Sequence, residues 1–233
     1  MYSVTTAAKP GSYASERVVL LPGAFDAPEQ FLAAGFDAAV RERALPLDLQ
    51  FVALELAHAT DRSIIDRLHR TVILPARRAG CRRLWLGGIS LGGFLALASA
   101  TRWAADLDGL CLLAPYLGSH LVTREIMAAG SLARWAAAPP VASAANAVTD
   151  EDHDIWRFIA AGCAGLPVWL GLGGQDRFAD RHRLLAAALP PAAVHTVSGG
   201  HDWPTWRQLW DNFLDLWTSP TLAGADAGSP RRC

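Results

Sequence analysis

The chain has 233 residues, of which 52% are hydrophobic and only 18% are charged. This length and composition suit one domain with a large buried core. The 21 basic and 22 acidic residues nearly cancel, leaving a formal net charge of -1, and no long run carries one sign. The balance argues against nucleic-acid binding and against attachment to an anionic membrane surface.

Residues 1–16 are polar and predict a flexible leader. They contain no basic segment followed by an apolar one, so they do not predict a secretory signal. Apolar stretches elsewhere are too short to cross a bilayer. The four cysteines lack the spacing of a CxxC pair or a metal site: they are Cys81, Cys111, Cys163 and Cys233. These features predict a cytoplasmic protein, with Cys111 buried as a small apolar residue.

Apolar runs of strand length alternate with helical patterns through the rest of the chain. The predicted strands cover residues 17–21, 49–56, 83–88, 110–115, 167–172 and 193–197. The predicted helices cover about residues 27–43, 61–79, 94–104, 180–189 and 205–217, with Asp61 as a cap and Pro75 as a kink or break. This alternation predicts an α/β domain at 17–218, with a doubly wound, mostly parallel sheet of about six strands. Its ligand site is expected at the carboxyl ends of the strands.

Residues 116–165 interrupt the alternation. They contain a helical pattern at about 121–137, a Pro/Ala/Ser-rich link and a second helix from about Asp150. Because a connection this long inside a domain is usually functional, it predicts a small helical cap over the site. The acidic residues at 150–154 could be drawn as a metal site, but acids are also favoured at a helix N-terminus, so we expect no metal. The tail at 219–233 predicts a second flexible segment.

Ser90 lies in Gly88-Ile89-Ser90-Leu91-Gly92, a G-x-S-x-G sequence between a predicted strand and a predicted helix. On such a turn a serine hydroxyl stands above the sheet, and flanking glycines avoid side-chain clashes. The start of the helix points at the reacting group, so the amide of Leu91 is a candidate oxyanion donor. The alternative interpretation is a simple turn, but the strand–turn–helix context favours a nucleophile.

A serine nucleophile needs a base, and the base needs an orienting carboxylate. His201 follows the last predicted strand in Ser-Gly-Gly-His-Asp, and two glycines allow its loop to fold back over the sheet edge. Asp176 follows the preceding strand in Gly-Gly-Gln-Asp; its alternative role is a turn cap. The chain order Ser90, Asp176, His201 is that of α/β-hydrolase triads. Three candidates at strand ends in this order predict a catalytic triad.

The chain resembles the α/β-hydrolase superfamily from about Arg17 to Trp217. The matching segments are LLPGA at 20–24, GISLGG at 88–93, GGQD at 173–176 and GGHD at 199–202. The resemblance implies that the amide of Ala24 is a second oxyanion donor, although Pro22 stands where relatives often have histidine. It also implies a sheet trimmed at its N-terminus, because the first antiparallel strands of larger relatives are not evident.

These residues predict a hydrolase that cleaves a carboxylic ester or thioester through an acyl-enzyme, without metal or organic cofactor. The expected substrate is a small molecule or an acyl-carrier type of ester or thioester. Phe25, Tyr116 and Trp203 are expected to line its pocket, although Trp203 also begins an aromatic stripe typical of a core-facing helix. Because one fold hosts many functions, a lyase, a cofactor-free peroxidase and a non-catalytic ligand-binding protein remain alternatives.

Overall fold

The computed structural model describes residues 2–8, 14–53, 63–138 and 150–218 of the chain. Asp61, the end of the second predicted strand, the Pro/Ala/Ser-rich link and the tail at 219–233 lie outside these residues. The sheet contains β1 (Ser3–Thr6), β2 (Glu16–Leu21), β3 (Leu47–Val52), β4 (Arg83–Ile89), β5 (Gly109–Leu113), β6 (Val168–Gly173) and β7 (Val194–Val197). The helices among these residues are α1 (Pro28–Ala33), α2 (Phe36–Glu42), α3 (Ser63–Leu68), α4 (Leu74–Arg78), α5 (Leu91–Trp103), α6 (His120–Ala128), α7 (Leu132–Ala137), α8 (Asp150–Ala160), α9 (Ala179–Ala187) and α10 (Trp203–Thr218).

The described strands form one sheet in the order β1-β3-β2-β4-β5-β6-β7. Strands β2 to β7 pair in parallel, and β1 pairs antiparallel with β3. The predicted α/β class and mostly parallel sheet are confirmed, with seven strands in place of about six. The parallel strands β4, β6 and β7 all end on the same side of the sheet, which we call the carboxyl edge; the side on which they begin is the amino edge. The turns that follow these strands can therefore share a site.

The extra strand, β1, lies within residues 1–16 and corrects the prediction that this segment is a flexible leader. Residues 3–6 read Ser-Val-Thr-Thr, and their β-branched side chains suit an edge strand with one half-buried face. The buried carboxylate of Asp48 accepts hydrogen bonds from the amides of Ala8 at 2.9 Å and Ala14 at 3.0 Å. A polar composition concealed this strand, because its anchor is a distant carboxylate rather than an apolar run.

Side chains that alternate along the strands supply two cores, one on each face of the sheet. Val19 and Leu21 of β2 pack with residues of α3 to α9, whereas Val18 and Leu20 pack with residues of α1, α2 and α10. Both faces of each central strand are therefore covered, which explains why these strands read as continuous apolar runs. Cys111 is fully buried, as predicted.

Two predicted helices are each divided in the structure. Gly35 adopts φ +78 between α1 and α2, a left-handed conformation that suits glycine and breaks the helix. A π-helical turn at His69–Ile73 separates α3 from α4, and Pro75 lies in the first turn of α4. Pro75 cannot donate a backbone hydrogen bond, and the wider π turn before it lets the helix continue past this position. The predicted kink or break is therefore a local change from α-helical to π-helical hydrogen bonding.

The predicted cap region contains α6, α7 and α8, and much of it packs into the layer of helices beside α5. Val122 and Ile126 of α6 and Ile155 and Trp156 of α8 are almost fully buried in the core on that face. Gly130, at φ +80, ends the first part of the predicted helix. Coverage of the carboxyl edge by this insertion stays a prediction. In the described residues we find no helix with the length and apolarity that a membrane span requires.

Candidate active site

Ser90 occupies a strained turn between β4 and α5. Its backbone has φ +51 and ψ -113, a conformation that non-glycine residues rarely adopt. Such strain costs about 1–3 kcal/mol and persists only where the surrounding structure enforces it. The amide of Ser90 donates to the carbonyl of Leu113 at 3.1 Å, and its carbonyl accepts from the amide of Tyr116 at 2.8 Å. The end of β5 and the loop after it therefore hold the turn from one side.

The glycines of the motif allow the end of β2 to approach the same turn. A Cβ atom on Gly92 would lie 2.1 Å from the carbonyl oxygen of Leu21, and one on Gly88 would lie 2.7 Å from that oxygen. Neither distance is compatible with a side chain, so the motif needs glycine at both positions. A Cβ atom on Gly23 would lie 4.0 Å from Cβ of Ser90, which places the loop after β2 directly beside the candidate nucleophile.

The structure brings His201 and Asp176 together. Nδ1 of His201 lies 2.7 Å from Oδ2 of Asp176, and the two side chains are only 7% and 0% exposed. Burial would raise the pKa of Asp176, but the hydrogen bonds from His201 and from the Phe178 amide outweigh it and lower the pKa below its ordinary value. The carboxylate is therefore ionised at neutral pH and can orient and stabilise the imidazolium of His201.

Asp202 lies next to His201 but serves a different purpose. Its carboxylate caps α10, accepting from the amide of Thr205 at 3.0 Å and from the hydroxyl of Thr205 at 2.6 Å. These hydrogen bonds lower the pKa of Asp202. Asp202 therefore fixes the start of the helix that follows His201, and Asp176 is the carboxylate bonded to the imidazole.

Two aromatic rings enclose the imidazole of His201. The rings of Phe178 and Trp206 each lie 5.1 Å from it, at interplanar angles of 90° and 89°. Edge-to-face contacts of this kind restrict a ring's orientation. The sequence motifs include neither residue: Phe178 follows Asp176 by two positions, and Trp206 lies three positions after Trp203, in the aromatic stripe that predicts a core-facing helix. Their proximity to the GGQD and GGHD motifs is the one signal that could have suggested them.

Nε2 of His201 is buried and has no hydrogen-bond partner among the described residues. This is the nitrogen that would receive the proton of a serine nucleophile, but among the described residues it makes no hydrogen bond to Ser90. Catalytic hydrogen bonds often tighten only when substrate binds. Tyr116 and Phe178 connect the two halves of the site: the Tyr116 amide binds the Ser90 carbonyl, and the Phe178 ring lies 6.0 Å from the Tyr116 ring and against His201.

The amides of Leu91 and Ala24, the predicted oxyanion donors, belong to the two segments next to Ser90. Leu91 is the first residue of α5, and Ala24 follows Gly23 in the loop beside Ser90. Among the described residues, no hydrogen bond uses either amide as donor. Donation by these amides to the oxygen of a bound carbonyl stays a prediction.

The residues expected to line the substrate pocket have three different environments. The half-buried ring of Tyr116 lies 5.6 Å from the Phe94 ring, and burial raises the pKa of its hydroxyl. Phe25, next to Ala24, is 93% exposed. The Trp203 ring lies 5.3 Å from the Phe31 ring, so the start of α10 packs against α1. Substrate contact by these residues stays a prediction.

At the amino edge, where the parallel strands begin, the protein has a groove of about 960 Å³. None of the candidate residues lines it. It is lined partly by the rings of Trp85, Trp169 and Trp217. Three of the charged side chains along it are in ion pairs: Arg83 lies 3.2 Å from Glu16, and Asp108 lies 2.6 Å from an arginine of α4. Within the described ranges no group of three or more His, Cys, Asp or Glu residues could hold a metal ion.

Comparison with solved structures identifies the fold. FphF, a fluorophosphonate-binding serine hydrolase of Staphylococcus aureus, is similar with TM-score 0.58 and 12% identity over 91% of this chain and 87% of its own. A carboxylesterase of Nitrososphaera gargenis is similar with TM-score 0.54 and 16% identity over 93% and 94%. The S-formylglutathione hydrolase FrmB of S. aureus is similar with TM-score 0.54 and 12% identity over 88% and 84%.

A scan against protein-family models gives no match, and a search of curated proteins gives none either. The structural similarity nevertheless extends over nearly the whole of this chain and of each solved chain compared with it. The chain therefore has the α/β-hydrolase fold, and the resemblance to that superfamily is confirmed at the level of the fold.

Proposed function

We propose that the protein is a serine hydrolase that cleaves a carboxylic ester or thioester. The observation that carries the proposal is the buried 2.7 Å contact between His201 and Asp176, which leaves Nε2 of the imidazole unpartnered. A histidine oriented in this way is prepared to accept a proton at Nε2. Ser90, on a strained turn at the same edge of the sheet, is the nucleophile that this base would serve.

In the proposed reaction Oγ of Ser90 attacks the acyl carbonyl while Nε2 of His201 takes the hydroxyl proton. Asp176 stabilises the imidazolium that forms. The amides of Leu91 and Ala24 donate to the oxyanion of the tetrahedral intermediate. His201 then gives its proton to the leaving alcohol or thiol, and an acyl group remains on Ser90. Water, activated by His201, releases the carboxylic acid and restores the serine. None of these steps needs a metal or an organic cofactor.

The names of the similar proteins support an acyl substrate. One is a fluorophosphonate-binding serine hydrolase, one a carboxylesterase and one a hydrolase of S-formylglutathione. They span oxygen and sulfur leaving groups, so we keep esters and thioesters as one substrate class. The Phe94 ring contacts the ring of Tyr116, the Tyr116 ring contacts that of Phe178, and Phe178 lies against His201. An apolar surface beside the candidate base favours an apolar acyl group.

The decisive experiment measures hydrolysis of short p-nitrophenyl esters, and of an acyl thioester, by the wild type and Ser90→Ala. We expect the substitution to lower kcat by at least about 10⁴-fold without unfolding the protein. A fluorophosphonate probe should label the wild type and fail to label Ser90→Ala. Ser131→Ala is the matched control, because Ser131 caps α7 and should leave labelling unchanged.

The other function classes predict different results in the same assays. A lyase or a cofactor-free peroxidase would turn over its own substrate with little hydrolysis of any ester. A non-catalytic ligand-binding protein would resist the fluorophosphonate. Full esterase activity in Ser90→Ala would overturn the proposed nucleophile itself.

A further inference from the structure

His182 is a buried histidine of α9 that the proposed reaction does not use. The residue is only 1% exposed, and Nε2 of its imidazole lies 2.9 Å from the carbonyl oxygen of Pro115. Because a carbonyl can only accept, Nε2 must carry the proton and donate it. Nδ1 is buried without a hydrogen-bond partner among the described residues. His182 is therefore a fixed donor, directed at the loop that follows β5.

The surroundings of His182 keep it neutral. Burial lowers its pKa from the ordinary value of 6.5, and the charges of His201 and Arg181 lower it further. The Pro115 carbonyl and the nearby carboxylate of Asp176 oppose this shift without cancelling it. A neutral donor can hold the carbonyl without placing a second positive charge beside the His201–Asp176 pair.

The carbonyl that His182 holds belongs to the segment that clamps the nucleophile turn. Ala114, one residue earlier, has φ +46, so the chain leaves β5 in a strained conformation. One residue later, the amide of Tyr116 donates to the carbonyl of Ser90 at 2.8 Å. Pro115 also packs on α5, since a Cβ atom on Gly93 would lie 2.8 Å from Cβ of Pro115. A displacement of Pro115 would be transmitted to the backbone of Ser90.

Helix α9 makes a second contact with the same loop, and it begins next to the candidate acid. Arg181 donates to the carbonyl of Gly118 at 3.3 Å. Asp176 lies three residues before α9, and its Oδ1 accepts from the amide of Phe178 at 2.7 Å. Asp176 thus lies just before the helix, and Arg181 and His182 of the helix both hydrogen-bond to the loop after β5.

We infer that His182 is a positioning residue that sets the distance between the His201–Asp176 pair and Ser90. It acts through Pro115 and does not touch the substrate. The expected effect on kcat rests on the proposed function. The effect of His182 on the backbone of the loop after β5 does not, and it can be tested separately. Nothing in the G-x-S-x-G, GGQD or GGHD motifs includes this residue.

The test compares His182→Leu, which removes the donor, with His182→Gln, whose amide nitrogen can reach the same carbonyl. Leu185→Ala is the matched control, because Leu185 is a fully buried residue of the same helix that does not contact Pro115 through a hydrogen bond. We expect His182→Leu to lower kcat for a short ester by about 10- to 100-fold with KM within about twofold, because misplaced reacting groups affect the chemical step. His182→Gln should recover most of the loss.

A purely structural role would predict that His182→Leu and Leu185→Ala lose activity in proportion to their loss of thermal stability. Equal kcat values in variants of equal melting temperature would therefore overturn the inference. So would failure of His182→Gln to recover activity in a folded protein with wild-type melting temperature.

Hydrogen exchange tests the same inference without any turnover. The amide of Tyr116 should exchange faster in His182→Leu than in Leu185→Ala, because its hydrogen bond to Ser90 depends on the position of Pro115. Unchanged exchange at Tyr116 would overturn the inference whatever the protein catalyses. Absence of esterase activity in the wild type, with faster exchange in His182→Leu, would instead reject the proposed function and leave the positioning role intact.

Discussion

The two edges of the sheet use polar residues in opposite ways. At the amino edge, Oδ2 of Asp108 accepts from Arg77 at 2.6 Å and from the amide of Leu84 at 2.8 Å. Arg83 pairs with Glu16 beside it. These charges use their hydrogen-bonding capacity on each other and on the backbone, so they stabilise the ends of the strands.

At the carboxyl edge, hydrogen-bonding capacity is left unused and the backbone is strained. Nε2 of His201 has no partner among the described residues, the amides of Leu91 and Ala24 are not engaged there, and Ser90 adopts φ +51. Unpaired buried groups and positive φ angles each cost free energy of folding. The amino edge thus carries paired charges, whereas the proposed function assigns binding and chemistry to the carboxyl edge. Variants at the two edges should therefore affect stability and activity separately.

Asp176→Asn should produce the largest effect. The amide cannot stabilise the imidazolium of His201, so we expect kcat for a short ester to fall by about 10⁴-fold. Circular dichroism should show a folded protein. Asp202→Asn is the control: asparagine also caps helices well, so this variant should retain activity. Activity close to that of the wild type in Asp176→Asn would show that the buried pair is structural.

Asp108→Ala should produce the converse result at the amino edge. It leaves Nη2 of Arg77 and the amide of Leu84 without their acceptor. We therefore expect a loss of about 1–3 kcal/mol in the free energy of unfolding. Urea unfolding measures this loss. The value of kcat should stay within about twofold of wild type, because the substitution lies at the far edge of the sheet from Ser90. A large loss of kcat in a folded Asp108→Ala protein would contradict the separation of the edges.

The strained turns allow a smaller and more direct comparison. Ser90→Gly should raise the free energy of unfolding by about 0.5–1 kcal/mol, because glycine tolerates positive φ, and it should abolish hydrolysis. Ala44, before the amino end of β3, also has positive φ, at +50. Ala44→Gly should give a similar gain in stability with full activity. A loss of stability in Ser90→Gly would show that the turn is not strained.

Much of this arrangement follows from local sequence patterns. Apolar runs mark the central strands, because both faces of those strands are covered, and the motifs at their ends identify Ser90, Asp176 and His201. Close backbone approach requires some of the glycines in these turns, as at Gly92 against Leu21 and at Gly173 against Gly200. Local chemistry therefore identifies the site's principal groups.

The remaining features depend on partners far away in the chain. Strand β1 is held through Asp48, some 40 residues from Ala8, so its polar sequence resembles a loose leader. Trp206 belongs to a periodic stripe that predicts burial, and periodicity carries no information about its contact with His201. His182 acts on a carbonyl 67 residues away. Supporting residues of this kind leave no short motif, because their spacing is set by the tertiary fold.

The last prediction concerns pH and tests whether His182 is neutral in the folded state. A histidine whose pKa is lowered on folding binds fewer protons in the native state than in the unfolded state. Its contribution to stability is complete above the unfolded pKa and is lost as the pH falls toward the folded pKa. For His182 the loss should begin near its ordinary value of 6.5.

The measurement is the free energy of unfolding of the wild type minus that of His182→Gln, determined in urea across this range of pH. We expect the difference to be constant above about pH 6.5 and to decrease steadily below it. The other titratable groups are present in both proteins, so the part of their contribution that does not depend on His182 cancels in the difference. A difference that does not change with pH would mean that His182 ionises equally in both states. In that case the donor to Pro115 would carry a charge beside Asp176 below about pH 6.5. The contrast between a neutral donor at the carboxyl edge and the ionic pairs of the amino edge would then be lost in that range of pH.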